Sequence, residues 1–579
     1  MIRMIIINIL CFLILTSCSK GDNTGPLVKN VTISITTDKA VYNPSDVVNF
    51  KIDKALPATA RVRYRYLNQT LEETSLNGQS WSWTAPSTDY KGYMVDVFDI
   101  TDNEEYIYGS IAVDVSSDWS KFPRYGFLSK FPELTDTRMS NIVDSLSRCH
   151  INGIMFYDFE NKHHKPLAGT TANPENSWYD IAKRTNYLTT VQGYITKAHE
   201  RNMMAMFYNL AYGAWKNAAA DGVSSEWYMY TNTSHSTIDY IYLDNNWSSS
   251  IYLLDPSNTG WQDYIARQND DLYSVFDFDG FHVDQVGNRD KNLYTYNGTL
   301  IDLPGTFAPF LNAMKTKNPG KRLVMNAVDQ LGQEGIATTN VDFMYSEVWT
   351  PTTYDELAKV ITDNNTFCGN TKNTVLAAYM NRGLSGQKGF FNLPGVLLTE
   401  SVIFAFGGSH IELGEHMLVH EYFPNSNLTM SVELKRAMIS YYDFLVAYEN
   451  ILRDGGAFNT VNITSADRQM NLNSWPPQTG NVAVLGKEVG KRQVIHLINF
   501  STASDLNWRD NDGSRTVPVK YSNSRFDINV NGTVGKVWYA SPDYIHGSST
   551  ELEFVRNGNT ISLSIPYMQY WGMIVIEYL

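Results

Sequence analysis

The sequence has 579 residues, enough for roughly two to four domains, and its hydrophobic fraction of 43% is that of a globular protein rather than a disordered one. Its net charge of −14 leaves no overall basic surface for a phosphate backbone, so nucleic-acid binding is not expected. Aromatic residues reach 13% and charged residues only 18%, a balance that suits recognition of neutral polar ligands by stacking and hydrogen bonding.

The first residues have the pattern of an export signal. Arg3 precedes an apolar run over residues 4–15, which is too short to span a bilayer comfortably. The run leads into Thr16-Ser17-Cys18, which with the preceding leucine resembles a bacterial lipobox, the motif whose cysteine is lipidated. We therefore predict a lipoprotein signal peptide over 1–17 and a linker over 18–28, with Cys18 anchoring the exported protein to a bacterial membrane, at the cell surface or in the periplasm. An ordinary signal peptide is the alternative.

Two regions have the alternating apolar and polar pattern of antiparallel strands. Residues 29–116 contain short alternating segments, such as 47–52, separated by Asn, Gly and Pro turns, and this predicts an immunoglobulin-like β-sandwich. Residues 456–579 contain similar segments, such as 492–498, and are predicted to form a C-terminal antiparallel β-sandwich.

The intervening region, residues 117–455, alternates apolar strands with helical patterns, which predicts a (β/α)8 TIM barrel. The candidate strands cover residues 125–128, 153–157, 204–208, 280–283, 322–325, 343–345, 374–378 and 404–408. The candidate helices cover residues 138–148, 188–201, 261–275, 307–317, 354–363 and 395–402.

Carboxylate or carboxamide side chains close most of these candidate strands, beside aromatic residues. In a barrel of this kind the active site lies at the C-terminal ends of the strands. Buried polar groups cost free energy unless they are hydrogen-bonded, and a polyhydroxylated ligand would satisfy them. Helix capping could explain any single position, but the agreement between strands favours a sugar site. The strand-end residues are Asp158, Asn209, Asp284, Gln285, Asn326, Glu347, Asn381 and Glu412.

Asp284 and Glu347 are suited to cleaving a glycosidic bond. That reaction needs one carboxylic acid to protonate the leaving oxygen and one carboxylate at the anomeric carbon. Ends of strands 4 and 6 can face the same cleft of a barrel. The shorter Asp284 is predicted to be the nucleophile. Glu347 is predicted to be the general acid/base, because apolar walls from Tyr345 and Trp349 would raise its pKa.

Several stretches of the predicted barrel carry a combined signature. They are residues 122–128, 152–159, 163–167, 208–214, 280–287, 345–349 and 410–417. Taken together, they resemble glycoside hydrolase family 66, the dextranases and cycloisomaltooligosaccharide glucanotransferases. The resemblance implies a retaining, endo-acting α-1,6-glucan hydrolase with Asp284 as nucleophile and Glu347 as acid/base. It also implies that Asp158 is a supporting acid.

The resemblance and the strand-end pattern together predict the residues that bind dextran and its isomaltooligosaccharides. Trp215 and Trp247 are further candidate stacking platforms, with core packing as the alternative for each. The predicted substrate-binding residues are Tyr157, His164, Tyr208, Asn209, Tyr212, His282, Gln285, Asn326, Trp349, Tyr379, Asn381 and Glu412.

The resemblance covers two activities. Cyclising members carry a carbohydrate-binding domain inserted in the C-terminal half of the barrel, and the short stretch from Glu347 to Glu412 leaves no room for one. Dextranase activity is therefore favoured. A cyclising transglycosylase, a retaining hydrolase of another α-glucan such as starch, and a non-catalytic glucan-binding lipoprotein remain alternatives.

No cofactor or metal ion is expected, and the chain is predicted to be a monomer. His163 and His164 lack the HExxH pattern of a zinc hydrolase, and His416 and His420 fall in an apparent loop. The remaining cysteines, Cys149 and Cys368, are far apart without CxxC spacing and are predicted to be buried thiols.

Overall fold

The computed structural model describes residues 27–28 and 32–579. The predicted signal peptide, Cys18 and most of the predicted linker lie outside the described residues. Within the described part, the chain is multidomain, with antiparallel sheets on both sides of a parallel barrel. No helix in residues 27–28 and 32–579 combines the length and the apolar character needed to cross a membrane.

The N-terminal region forms two facing sheets, which are antiparallel except that Leu27–Val28 runs parallel to Glu104–Val115. Strand Val47–Ile52 alternates exposed and buried residues, so that Val48, Phe50 and Ile52 enter the core between the sheets. One sheet contains, in spatial order, Leu27–Val28, Glu104–Val115, Lys91–Thr101, Arg61–Tyr66 and Gln69–Ser75. The other contains Ile35–Thr37, Val47–Ile52 and Ser80–Thr84.

Eight parallel strands form the central barrel in simple sequence order. The barrel closes where the backbone N–H of Phe127 in the first strand donates to the carbonyl of Leu413, beyond the eighth, over 3.1 Å. We refer to these strands as barrel strands 1 to 8. They are Tyr125–Leu128, Gly153–Phe156, Met204–Leu210, Gly280–Asp284, Arg322–Val328, Met344–Glu347, Thr374–Ala377 and Ser409–His410.

Helices surround the barrel, and their starts carry recognisable caps. The Thr135 side chain accepts from the backbone of Arg138, and Thr353 with Glu356 forms a capping box. Pro394 occupies the first turn of another helix, where its missing N–H costs nothing. The helices are Asp136–Arg148, Leu188–His199, Thr259–Val275, Leu303–Lys317, Gln333–Ala337, Tyr354–Phe367, Leu393–Ala405, Val432–Ala447 and Glu449–Leu452.

The predicted eighth strand, residues 404–408, is wrong. Phe404 and Ala405 end the helix Leu393–Ala405, which is buried on nearly every side, and barrel strand 8 is the two-residue segment Ser409–His410. A helix that is buried on all sides has no amphipathic periodicity in its sequence. Its apolar C-terminal end therefore has the same pattern as a buried strand. The helix Val432–Ala447 was not predicted. The other seven predicted strands overlap barrel strands 1 to 7.

The C-terminal region again forms two sheets, which are antiparallel except that Leu472–Ser474 runs parallel to Val482–Val489. One contains Ala457–Asn459, Leu472–Ser474, Val482–Val489, Arg492–Asn499, Val534–Ala540, Thr550–Glu551 and Trp571–Tyr578. The other contains Ile463–Ser465, Tyr521–Asn529, Phe554–Asn557 and Thr560–Met568. Arg509, in a loop of the C-terminal region, reaches the barrel, where its guanidinium donates to the carbonyls of Val348 and Trp349. This region therefore supports the end of barrel strand 6.

Short strands and turns build the loops beyond the barrel strands. They include the pairs Ser177–Tyr179 with Thr185–Tyr187 and Gly389–Phe390 with Leu428–Thr429, and the sheet of Gly213–Ala214, Tyr240–Ile241 and Ile251–Leu253.

The two cysteines of the described region, Cys149 and Cys368, are buried and unpaired, as predicted.

Candidate active site

An open cavity of about 250 Å³ lies at the C-terminal ends of the barrel strands. Asp284 ends barrel strand 4 and Glu347 ends barrel strand 6, so parallel strands bring both carboxyl groups to the same rim. The lining residues are Met155, Tyr157, Tyr208, His282, Asp284, Gln285, Val286, Asn326, Val328, Tyr345, Glu347, Trp349, Tyr379, Glu421 and Phe423.

The Asp284 carboxylate is held by neutral donors on both oxygens. The Tyr208 hydroxyl donates to Oδ2 over 2.7 Å, and the Asn326 amide donates to Oδ1 over 2.7 Å. Burial raises the pKa of Asp284, while these hydrogen bonds favour its charged form and oppose the shift. Among the described residues the carboxylate is thus oriented by neutral donors and not by a cation, so its charge is free to stabilise a developing positive charge in a substrate.

The Glu347 carboxyl group lies in a more aromatic setting. The Tyr379 hydroxyl and the Trp349 indole N–H donate to Oε1 over 2.8 and 2.9 Å, and Asn326 donates to Oε2. Burial, followed by the nearby charge of Asp284, raises the pKa of Glu347 to about 7. A carboxylic acid with that pKa keeps its proton near neutral pH, as a general acid must.

One amide group ties the two carboxyl groups together. Asn326 Nδ2 is 2.7 Å from Asp284 Oδ1 and 2.8 Å from Glu347 Oε2, which limits the separation of those two oxygens to 5.5 Å at most. Carboxyl groups of retaining glycosidases are about 5–5.5 Å apart, and those of inverting enzymes about 6.5–9.5 Å. The upper limit of 5.5 Å lies at the spacing of the first class and below that of the second.

Aromatic rings form the walls of the cavity. Tyr157 stacks on Phe423 with ring centroids 4.4 Å apart, and Trp349 lies 5.3 Å from Tyr379. Burial lowers the pKa of His282 to about 3, so its ring is neutral at ordinary pH. Apolar ring faces beside a few fixed polar groups are typical of sites that bind sugars or other neutral polar ligands.

Residues missed by the sequence analysis complete the cavity. Glu421 and Phe423 come from the long loop beyond barrel strand 8, which is tied back when His416 Nε2 donates to the Phe423 carbonyl over 2.8 Å. The neighbouring histidines were noticed only as possible metal ligands. Glu421 forms an ion pair with Arg382, which also lies over the Trp349 ring. The further missed lining residues are Met155, Val286 and Val328, whereas Tyr345 lines the cavity beside Glu347 as predicted.

Asp158 lies behind the cavity wall rather than on it. It follows barrel strand 2 with a φ of 46° and is 5% exposed. Burial raises its pKa to about 7, even though Arg184 favours the charged form, and the charge of Asp284 contributes to the rise. Asp158 is therefore electrostatically linked to the predicted nucleophile without lining the space beside it.

Five predicted substrate-binding residues do not line the cavity, because internal partners occupy their polar groups. Asn209 donates to the His163 carbonyl, and the Tyr212 hydroxyl accepts from the Val286 backbone. Further internal bonds hold the other three: Asn381 to the Asp510 carbonyl, Glu412 to Tyr442 and His164 to Asp221. The predicted residues that do line it are Tyr157, Tyr208, His282, Gln285, Asn326, Trp349 and Tyr379.

Comparison with known proteins identifies the family of this site. Residues 37–575 match the family model described as Glycosyl hydrolase family 66. A cycloisomaltooligosaccharide glucanotransferase of Niallia circulans is 29% identical, over 93% of this chain and 71% of the relative. A dextranase of Streptococcus salivarius is 22% identical, over 85% of this chain and 68% of the relative. The chain therefore belongs to glycosyl hydrolase family 66.

A solved structure supports the same assignment. The crystal structure of a Paenibacillus sp. cycloisomaltooligosaccharide glucanotransferase, complexed with cycloisomaltoheptaose, superposes with a TM-score of 0.86 at 25% identity. The match covers 95% of this chain and 100% of that structure.

Proposed function

We propose that this protein is an endo-acting, retaining glycoside hydrolase that cleaves α-1,6-glucosidic linkages of dextran to give isomaltooligosaccharides. The Asn326 bridge between Asp284 and Glu347 carries the proposal, because it keeps the two carboxyl groups within the spacing of retaining enzymes. The names of the relatives support an α-1,6-glucan substrate.

The first chemical step forms a covalent intermediate. One carboxylate oxygen of Asp284 attacks the anomeric carbon of the substrate while Glu347 transfers its proton to the glycosidic oxygen. The bond from the anomeric carbon to that oxygen breaks, and the shortened glucan leaves as an alcohol. The remaining sugar is then held by an ester bond to Asp284, with its anomeric configuration inverted.

The second step releases the sugar with a second inversion. Glu347, now a carboxylate, takes a proton from water as the water oxygen attacks the anomeric carbon, and the ester bond to Asp284 breaks. Asn326 and Gln285 line the cavity together with Asp284. Asn326 Oδ1 and Gln285 Nε2 have no hydrogen-bond partners among the residues the structure describes. We assign them to hydroxyl groups of the sugar beside Asp284.

Hydrolysis is favoured over cyclisation by the compactness of the barrel. Between Glu347 and Glu412 the chain is used by the helices Tyr354–Phe367 and Leu393–Ala405 and by barrel strands 7 and 8. The alignment with the Niallia glucanotransferase runs over 706 positions, although this chain has 579 residues, so the relative carries segments that this chain lacks.

Product analysis tests the proposed activity. The purified protein is incubated with dextran, amylose and pullulan, and the products are separated and weighed by mass spectrometry. We expect linear isomaltooligosaccharides from dextran, a rapid fall in its viscosity, and an initial excess of the α-anomer by NMR. Cyclic products, each lighter than the linear form by one water, would instead support the transglycosylase. Binding without turnover would support a glucan-binding protein, and preferred cleavage of amylose a different α-glucan.

We further propose that the protein is exported and anchored through a lipid on Cys18. The apolar run and the lipobox-like residues before Cys18 support this. In a bacterial host, Cys18→Ala is expected to move the protein from the membrane fraction to the soluble fraction. Unchanged membrane association of the variant would contradict lipid anchoring. The monomeric state is a separate prediction, tested by light scattering.

A further inference from the structure

A second cavity lies at the opposite end of the barrel from Asp284 and Glu347, against the C-terminal region. Its volume is about 310 Å³. Residues just before barrel strands 1, 7 and 8 line one side of it. The segment that follows helix Glu449–Leu452 and the strand Val482–Val489 line the other. The cavity is therefore built between the N-terminal strand ends of the barrel and the C-terminal sheets.

The lining of this second cavity is rich in cations. Four of its side chains are basic, namely Lys121, Lys372, Arg453 and Lys487, and Asp454 is the one acid among the described residues that line it. Asp454 is already bound to Lys121, with Oδ1 2.6 Å from Nζ. That ion pair leaves three cations of the lining without a carboxylate of the cavity to balance them.

Lys487 is almost fully buried, although its hydrogen-bond acceptor in the described part of the chain is a carbonyl and not an acid. Only 4% of the residue is exposed. Its Nζ donates to the Leu452 carbonyl over 2.7 Å and lies 5.4 Å from the centre of the Phe458 ring. Burial lowers the pKa of Lys487 to about 8, and the charge of Asp454 opposes that shift only in part. Since an ammonium group has three N–H donors, two remain for a ligand.

The other two cations also donate to carbonyls. Lys372 Nζ donates to two backbone carbonyls, over 2.9 and 3.0 Å. Arg453 is 5% exposed, and its Nη2 donates to the Pro123 carbonyl over 2.8 Å. Burial lowers the pKa of both side chains, because each charge has lost water without gaining a close acid. An anion placed among these groups would remove that cost.

Other buried cations of the chain are balanced differently. Arg65 is bound to the Asp96 carboxylate over 2.7 Å. Arg509 bonds to backbone carbonyls, as Lys487 does, but the neighbouring cation Arg382 is bound to an acid. A single cation held by carbonyls is thus part of the ordinary fold. Three of them on one cavity, with its acid already paired, point to an anionic ligand.

Neutral hydrogen-bonding groups complete the lining. Hydroxyl and amide groups can donate to the oxygens of an anion, and they add no negative charge that would repel it. These residues are Thr362, Asn365, Thr366, Asn370, Thr371 and Asn373.

We propose that the second cavity binds a phosphate group, as inorganic phosphate or as a phosphate monoester, with Lys372 and Lys487 donating to its oxygens. A dianion balances several cations at once, and lysine binds phosphate as a point charge. Arg453 contributes its positive charge from the wall of the cavity. Binding there does not depend on the proposed hydrolase activity, because Asp284 and Glu347 lie at the other end of the barrel.

Titration of the full-length chain tests the proposal. The protein is purified without phosphate and titrated in a calorimeter with sodium phosphate, with glycerol 3-phosphate and, at the same ionic strength, with sodium acetate. We expect saturable binding of one phosphate group per chain. We also expect a higher Tm in phosphate than in acetate, because a ligand that binds only the folded state stabilises it. Tighter binding of glycerol 3-phosphate would assign the cavity to a monoester, and the reverse order to the free ion.

Lys487→Met removes the charge with little change in side-chain length. It is expected to weaken phosphate binding roughly tenfold or more, which corresponds to the loss of a hydrogen bond from a charged donor. Lys315→Met is the matched control, because Lys315 Nζ also donates to a backbone carbonyl but the residue does not line this cavity. Its phosphate affinity should equal that of the unmodified chain.

Three results would overturn the proposal. They are the absence of saturable phosphate binding by the unmodified chain, equal stabilisation by acetate, and equal phosphate affinity in Lys487→Met and the unmodified chain. The first two need no variant, so the test holds even if Lys487→Met folds poorly.

Discussion

Acidic side chains lie at two places in the barrel, and their surroundings differ. Asp284 and Glu347 face the cavity and are held by neutral donors from Tyr208, Asn326 and Tyr379. Glu400 and Glu412 are 0% and 1% exposed and enclose His410 near barrel strand 8. Asp284 has a charge and Glu347 a proton to use on a ligand, whereas Glu400 and Glu412 bond to His410 and Tyr442 inside the fold.

The comparison separates acids that face the cavity from acids that are enclosed in the fold. A buried carboxyl group that has a raised pKa and also faces a cavity is a candidate for catalysis. A buried acid whose partners are all internal is part of the fold, and removing it leaves those partners unsatisfied. Substitutions in the two groups should therefore have opposite effects on activity and on stability.

The largest expected effect is the loss of hydrolysis in Asp284→Asn. Without the carboxylate no ester intermediate forms, and kcat on dextran should fall on the order of 10⁴-fold. The amide keeps the shape of the side chain, so dextran binding and Tm should change little. Activity is measured by reducing-end release, and binding by affinity electrophoresis. Turnover at the unmodified rate would exclude Asp284 as nucleophile.

Glu347→Ala tests the second acid by chemical rescue. Removing general acid/base catalysis is expected to cost about 10²–10⁴-fold in kcat on dextran. An activated substrate, an isomaltosyl fluoride, forms the ester intermediate without help from a general acid. Azide needs no general base, so it should attack that intermediate and give the α-glycosyl azide. In Asp284→Gly, azide should instead replace the nucleophile and give the β-product. The same azide anomer from both variants would contradict these roles.

Glu400→Ala tests whether the second group of acids stabilises the fold. The substitution removes the partner of His410 Nδ1 and leaves a cavity among fully buried groups. We expect the free energy of unfolding to fall by about 3–5 kcal/mol, which is the cost of removing one partner of a buried polar pair and leaving a cavity. Thermal unfolding measures this effect, with kcat per folded molecule as the second readout. An unchanged Tm with reduced kcat would place Glu400 in the catalytic site instead.

Sequence patterns predicted the positions of Asp284 and Glu347 well, because strand ends are set by local chain direction. Asp284 and Glu347 directly close apolar strands, so their position followed once the barrel was recognised. Side-chain direction was harder to predict. Asn381 adopts a left-handed φ of 53° and donates to Asp510, a residue more than a hundred positions away in the C-terminal region. No local pattern carries such a contact.

Loops and uniformly apolar segments were the other sources of error. Glu421 and Phe423 reach the cavity only because their loop folds back over the barrel, held by His416 and by Glu415, which accepts from Ser129. The apolar end of helix Leu393–Ala405 was read as a strand, since burial on all sides removes the helical period. These features depend on tertiary packing, which a single sequence does not encode locally.

The smallest expected effect is a pH shift in Tyr379→Phe. The Tyr379 hydroxyl donates to Glu347 Oε1 and favours the carboxylate, so its loss should raise the pKa of Glu347 above its value of about 7. The acid then keeps its proton to higher pH, and the alkaline limb of kcat/KM should move upward by roughly one unit or less, because the Trp349 indole still donates to the same oxygen. Tyr125→Phe, whose hydroxyl contacts His282 instead, is the matched control and should leave the limb in place. If the alkaline limb of kcat/KM does not move in Tyr379→Phe, or moves to lower pH, Glu347 is not the acid that titrates on that limb.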